Sequence, residues 1–336
     1  MNILRAEKPI YLKGPYVALP EKIMSNKDVL EWMNSSQNPA LIGFSTGIRN
    51  RRWVSEDQAC SDLAINAAEK LFAEKPTEKN KVNQIILATI SGDYISPPTS
   101  PLIQYRLGLQ NTGAFDIGAA CAGFVVGLHT SAAIAQASLG SVLLIASEIR
   151  SKFLNKNNFA TSVLFGDGAA ACIVSQDSEH AEFRFIASSL FADGEVSDTV
   201  STPAGGSRLP ASRCTNPDQF YITIRESTAL FVKAVHGMVD AALYFLKEMN
   251  LSPADIQWLV PHQGNRNLVM SVAKQLGFAE EQVVKTVEET GNTSGASVGI
   301  ALDHLRQHAN IKSKDKVLLV AAGGGGIAAS ALLEVV

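Results

Sequence analysis

One cysteine, Cys121, stands inside Phe115 to Leu128, FDIGAACAGFVVGL, between an apolar strand-like run and an apolar run of small residues. A thiol on a strand-to-helix turn meets the free N–H groups and positive end of the helix, which favour thiolate over thiol. Cys121 is therefore a candidate nucleophile, against the commoner fate of a buried core cysteine. His262, in VPHQGN, directly follows another apolar run, where active-site loops collect in α/β folds. Its alternative is a histidine satisfied by backbone hydrogen bonds. Asn292, in GNTSGAS, opens a small-residue helix, a place equally suited to a helix cap. Thiol, imidazole and carboxamide together suit acyl transfer: sulfur holds the acyl group and two donors steady a developing oxyanion.

Placing those groups requires strands that end beside helices, and the pattern supplies them. Gln84–Thr89 reads as a strand before a Pro/Ser loop, a short helix ends at Leu107–Leu109, the Cys121 helix follows, and Val142–Ala146 is again a strand. Upstream, Tyr16–Pro20 reads as a short strand, Ser25–Asn26 as a helix cap, and Gly43 to Trp53 as a loop with three arginines. Glu56 to Ala73 is an amphipathic helix that carries Cys60 on its apolar face, as a core residue.

The order then recurs about 170 positions later in the strands Gln257–Val260 and Lys316–Ala321, the helix ending at Gln275–Phe278 and the helix opened by Gly291–Gly295. A duplicated α/β unit follows, with halves 1–178 and 179–336, and Cys121 and Asn292 at matching places 171 positions apart. A helix without charge on any side, Cys121 to Leu139, must be covered all round. Two sheets packed around a central helical layer do this, giving five layers, α/β/α/β/α.

At 336 residues and 46% hydrophobic the chain can bury a large core. A net charge of −3 with one dense basic run, Arg49 to Arg52, leaves no footprint for nucleic acid. Arg49, Arg51 and Arg52 suit surface salt bridges better than phosphate. Four cysteines without CxxC spacing, and an N-terminus with charges where a signal peptide needs its apolar core, point to a cytoplasmic protein with reduced thiols. The long uncharged stretches Ile117 to Ser147 and Val317 to Leu333 are broken by Gly and Ser, which favours burial inside protein over a membrane span. His304 and His308 lie four apart with no third ligand nearby, so no metal site is expected.

DIGAACAGF, FGDGAAA, VPHQGN and GNTSGAS, in this order, resemble the β-ketoacyl-acyl-carrier-protein synthase III family of the thiolase fold. The resemblance implies a homodimer without a cofactor, acting on acyl and malonyl thioesters carried by acyl carrier protein or coenzyme A. It implies a triad of Cys121 as acyl acceptor with His262 and Asn292 at the extender thioester, an oxyanion hole from the Cys121 and Gly324 N–H groups, and a structural turn at Phe165–Gly168. By motif position Phe231, Gly264 and Asn265 would hold the pantetheine arm. Lys233, Arg266 and Lys274 would engage an acidic carrier protein if they line the tunnel mouth.

Departures from the family pattern bear on substrate. Ala322 replaces a Phe beside the glycines, and the aromatic that usually follows them is missing. Ser96 stands where a bulky residue often narrows the acyl site. Leu41, Ser45 and Phe159 occupy the places of a Trp and two Arg that clamp adenine. An aliphatic side chain offers no stacking face, and neither Ser nor Phe supplies a guanidinium. The same fold also admits an acyltransferase, or a synthase joining two acyl chains without malonate. A nucleotide-binding oxidoreductase is disfavoured: Gly323 to Ala328 loosely fits GxGxxA, but the chain reaches its last residue, Val336, before the required acidic position.

Overall fold

The computed structural model describes residues 2–336. Nine strands form one sheet: β1 (Asn2–Ala18), β2 (Val82–Ala88), β3 (Gly113–Ile117), β4 (Ser141–Glu148), β5 (Gly168–Ser175), β6 (Phe183–Ala192), β7 (Trp258–Pro261), β8 (Lys316–Gly323) and β9 (Ile327–Val335). Their order is β7-β8-β9-β6-β1-β5-β4-β2-β3. The principal helices are α1 (Cys60–Glu74), α2 (Ser100–Arg106), α3 (Gly123–Gln136), α4 (Ser227–Glu248), α5 (Arg266–Leu276) and α6 (Ser297–His308).

The duplication is visible in the ladder. In the first half β2 runs parallel to β3 and β4, then β5 and β1 follow antiparallel. In the second half β7 runs parallel to β8, then β9 and β6 follow antiparallel. The counterpart of β3 has shrunk to a single parallel bridge, Leu259 to Val283. The two sheets expected are one ladder, because the long β1 pairs with β5 through Tyr11 to Ala18 and with β6 through Asn2 to Leu12.

Alternation along the strands sets the layers. Val142, Leu144 and Ala146 of β4 and Val317, Leu319 and Ala321 of β8 all pack on the central helices α3 and α6. Their neighbours face outward: Leu143 and Ile145 meet α1, and Leu318 and Val320 meet α4 and α5. Both arms of the ladder thus cover one helical layer, and helices cover both outer faces. Strands buried on both sides carry unbroken apolar runs for this reason. The central layer is tight: a Cβ on Gly127 would lie 2.4 Å from Leu144 Cδ1, and one on Gly299 would lie 2.6 Å from the Phe124 ring.

Three expectations need correction. The Gly43–Trp53 segment is not a loop: a helix over Pro39–Thr46, capped by Asn38, leads into a short strand, Asn50–Arg52, paired with Ile23–Ser25. Arg51 is fully buried, donating to the carbonyls of Met24 and Val163 and to Asn26, while Arg49 bridges Glu288 and Glu289. Nor is α3 covered all round, since Val126, His129, Thr130 and Ala133 are only half-buried.

The helix long and apolar enough to cross a membrane is α4, which the charge-free stretches did not reveal. Val235, Met238, Val239, Ala242 and Phe245 bury its inner face in the outer-layer core.

Candidate active site

Two matching turns build the site. Ala120–Ala122 and Ser294–Ala296 are both single 3₁₀ turns, each entering a central helix, α3 and α6. Each begins on a residue with left-handed backbone, Ala120 at φ 45° and Ser294 at φ 49°. By that equivalence Cys121 corresponds to Gly295, so the pairing of Cys121 with Asn292 is three residues out of register. The turns touch at their glycines: a Cβ on Gly295 would lie 2.7 Å from the Ala120 carbonyl oxygen and 3.3 Å from Gly123 Cα. Only small residues permit this approach, which explains the composition of both motifs.

Cys121 is half-buried and faces a cavity of about 880 Å³ whose wall also includes His262, Asn292 and Gly324. Its sulfur lies 3.9 Å from the Ser294 hydroxyl, and the Gly324 N–H reaches it as well. Burial pushes the thiol above its ordinary value, against the pull of Ser294, Arg150 and the Gly324 N–H. Desolvation is the largest influence on the thiol, contrary to the expectation of a ready thiolate. Gly323 packs closely here: a Cβ would stand 3.0 Å from the Cys121 nitrogen and 3.0 Å from the Ala119 oxygen and would press the turn back.

His262 is buried and its Nδ1 lies 2.8 Å from Ser297 Oγ. The Gln263 N–H donates to that same oxygen at 3.4 Å; where the Ser297 hydroxyl donates to Nδ1, the imidazole proton sits on Nε2. Burial lowers its pKa to about 4, so the ring is neutral at pH 7. Asn292 is held by its backbone, which donates to the Leu164 carbonyl and accepts from Gly166, and by its Oδ1, which accepts from the Ser294 N–H at 2.9 Å. Its Nδ2 donates to no described residue, and the side chain lines the cavity. The arrangement brings a thiol, a neutral imidazole and a carboxamide to one space.

Matches to known proteins follow this geometry. Residues 115–194 match the model of 3-oxoacyl-[acyl-carrier-protein] synthase III, and residues 246–335 match that of its C-terminal part. The chain is 40% identical over 317 residues to the β-ketoacyl-[acyl-carrier-protein] synthase III of Chlamydia caviae, covering 94% of this chain and 93% of that one. It belongs to the 3-oxoacyl-acyl-carrier-protein synthase III family. A solved synthase III of this family from Pseudomonas aeruginosa superposes with a TM-score of 0.88 at 32% identity, covering 97% and 98% of the two chains. The priming β-ketosynthase of the R1128 polyketide pathway superposes at 0.86 with 27% identity, covering 99% and 98%. The fold is thus the thiolase fold of the synthase III family.

The remaining expected site residues divide. Phe231, Gly264, Asn265 and Lys233 line the cavity, and Gly264 packs on His262, since a Cβ there would lie 3.3 Å from Nε2. Ser96 does not line it: the residue is exposed on a loop with Tyr94 and Ile95, so it does not widen the acyl space of its own chain. Arg266 is tied to Glu280 and Glu288, and Lys274 is exposed on α5 away from the cavity. Asp193, Glu195 and Asp240 share the rim with Lys233, so the mouth is mixed in charge rather than basic.

Asp167 of the FGDG turn is buried and accepts from the Val54, Arg150 and Ser151 N–H groups and the Ser151 hydroxyl, a structural staple. His304 and His308 stack at 4.4 Å. Gly323 to Ala328 is the turn of the antiparallel β8–β9 hairpin, not the strand-to-helix turn a dinucleotide needs. Sequence reading missed Glu148, Arg150, Ser294 and Ser297 as parts of the site. Two charged residues closing an apolar strand, in SEIR, were the available signal.

Proposed function

We propose that this chain is a β-ketoacyl-acyl-carrier-protein synthase III that loads an acyl group on Cys121 and condenses it with a malonyl-type thioester in fatty-acid or polyketide biosynthesis. The observation that carries the reading is the convergence of Cys121, neutral His262 and the free amide nitrogen of Asn292 on one cavity. In the first half-reaction the Cys121 sulfur attacks the acyl thioester carbonyl, and the carrier thiol leaves with the proton. The tetrahedral oxyanion is held by the Cys121 and Gly324 N–H groups.

In the second half-reaction the malonyl group loses carbon dioxide. His262 Nε2 and Asn292 Nδ2 donate to the enolate oxygen. The enolate carbon attacks the acyl-cysteine carbonyl, and the sulfur leaves. No cofactor takes part in these steps.

Leu41 and Ser45, both exposed on the Pro39–Thr46 helix, and Phe159, half-buried, offer no adenine clamp, which supports acyl carrier protein as donor. The halves 1–178 and 179–336 each supply part of the site, and the protein acts in the cytoplasm. It works as a homodimer: β3 is an edge strand, and Tyr94, Ile95, Tyr105 and Phe115 are exposed along the segments beside it. Intact-protein mass spectrometry after incubation with acyl thioesters on both carriers tests the reading. Wild type should gain one acyl mass that Cys121→Ala does not; acylation surviving in that variant overturns it. Release of carbon dioxide from a malonyl donor separates condensation from simple acyl transfer.

A further inference from the structure

Arg150 lies two residues beyond the end of β4 at Glu148 and enters the wall of the Cys121 cavity. It is only 6% exposed. Its Nε has no hydrogen-bond partner, and its guanidinium makes no hydrogen bond or ion pair with any described residue. Two aromatic rings lie within cation–π range of it, Phe153 at 5.7 Å and Phe165 at 5.8 Å from Cζ.

The neighbouring carboxylates are already occupied. Asp167 accepts from backbone and from Ser151, and Glu148 accepts from the Ser91 hydroxyl at 2.5 Å, the Ile90 N–H, the Ser294 hydroxyl and the Gly295 N–H. An arginine cannot shed its charge; its field reaches the Glu148 carboxyl and the Cys121 thiol, but it hydrogen-bonds to neither, and its donors stay open towards the cavity. Around it the wall is apolar, from Ile90, Ala160, Leu164 and Phe165.

We propose that Arg150 receives a carboxylate at the far end of the acyl group carried on Cys121, so that the loading substrate is an ω-carboxyacyl thioester. This rests on the acyl-cysteine reading above. An alkyl chain would run along the apolar wall from the sulfur, and its terminal carboxylate would pair with the fork of the guanidinium, a geometry that carboxylates match in two parallel hydrogen bonds.

The test is single-turnover loading, without any malonyl donor, read by intact mass. The probes are succinyl, glutaryl and adipoyl thioesters of pantetheine against the butyryl, pentanoyl and hexanoyl thioesters, with the adipoyl monomethyl ester as neutral control. Wild type should load at least one ω-carboxyacyl group roughly tenfold to a hundredfold faster than its neutral partner, and the methyl ester should lose that advantage. Arg150→Leu should invert the preference, and Arg150→Lys should keep part of it.

Equal or faster loading of neutral chains by wild type overturns the proposal. So does an equal loss for all thioesters in Arg150→Leu, which would assign Arg150 to the thiol instead. When a malonyl donor is then added to the loaded protein, an Arg150→Leu defect confined to that condensation step would place Arg150 at the extender carboxylate and likewise overturns the proposal. Loading of no thioester at all would sink the acyl-cysteine reading itself.

Discussion

His262 has lost the titration that makes histidine a proton carrier near neutrality. Burial holds it at about 4, below the ordinary 6.5, so the ring is uncharged near neutrality. The condensation step measured on pre-acylated protein should therefore show no inflection between pH 5 and 8; one near 6.5 would give His262 an acid–base role. Linkage has a definite sign. The unfolded chain binds a proton here from about 6.5 downward and the native state only near 4, so native stability falls as pH drops through that window. Replacing His262 by Asn should flatten that part of the pH–stability curve, followed by urea unfolding. Cys121 shifts the opposite way: burial raises its thiol, so acyl loading should keep accelerating as pH rises from neutral into the alkaline range.

Among the elements, α3 and α6 set the geometry because each enters from a turn that presses against the other. Their glycines are contact surfaces more than hinges. Gly299 faces Phe124 and Ala170, whose nearest atoms would lie 2.6 and 2.7 Å from an added Cβ. Gly299→Ala should cost about 1–3 kcal/mol by overpacking, measured from the urea midpoint at constant slope. An unchanged midpoint would mean the central layer can shift. Gly237 on α4 makes the useful contrast, since a Cβ there meets only Ala322 Cβ, at 3.8 Å. Ala at that position, free of overpacking, should raise stability by about 0.4–1 kcal/mol through helix propensity and a less flexible unfolded chain.

For the whole molecule, the open edge of the nine-stranded ladder is the feature a single copy leaves unfinished. β3 is five residues long, and Phe115 on it is 37% exposed next to the Tyr94–Ile95 loop, 69% and 87% exposed. If two copies meet there, Phe115→Lys should shift the sedimentation of the protein from dimer towards monomer without loss of helical signal. A variant that sediments like wild type would place the interface elsewhere.

What the chain states by itself is whatever local pattern dictates. Unbroken apolar runs mark doubly buried strands, and the same order of strands and helices appears twice. DIGAACAGF and GNTSGAS are rich in residues small enough for close approach, which is why the fold, the triad candidates and the family could be read without coordinates. Pairings between distant segments were out of reach. The bridging role of β1 depends on which strands lie on either side of it, and the true counterpart of Cys121 emerges only from backbone angles at Ala120 and Ser294. The direction of the Cys121 shift was misread because a helix terminus is local whereas desolvation depends on everything packed around the sulfur. Arg150 shows the same divide most plainly. Its sequence position says only that a cation follows a strand; that it is buried, beside the Phe153 and Phe165 rings and without a hydrogen-bonded anion was decided by the tertiary structure alone.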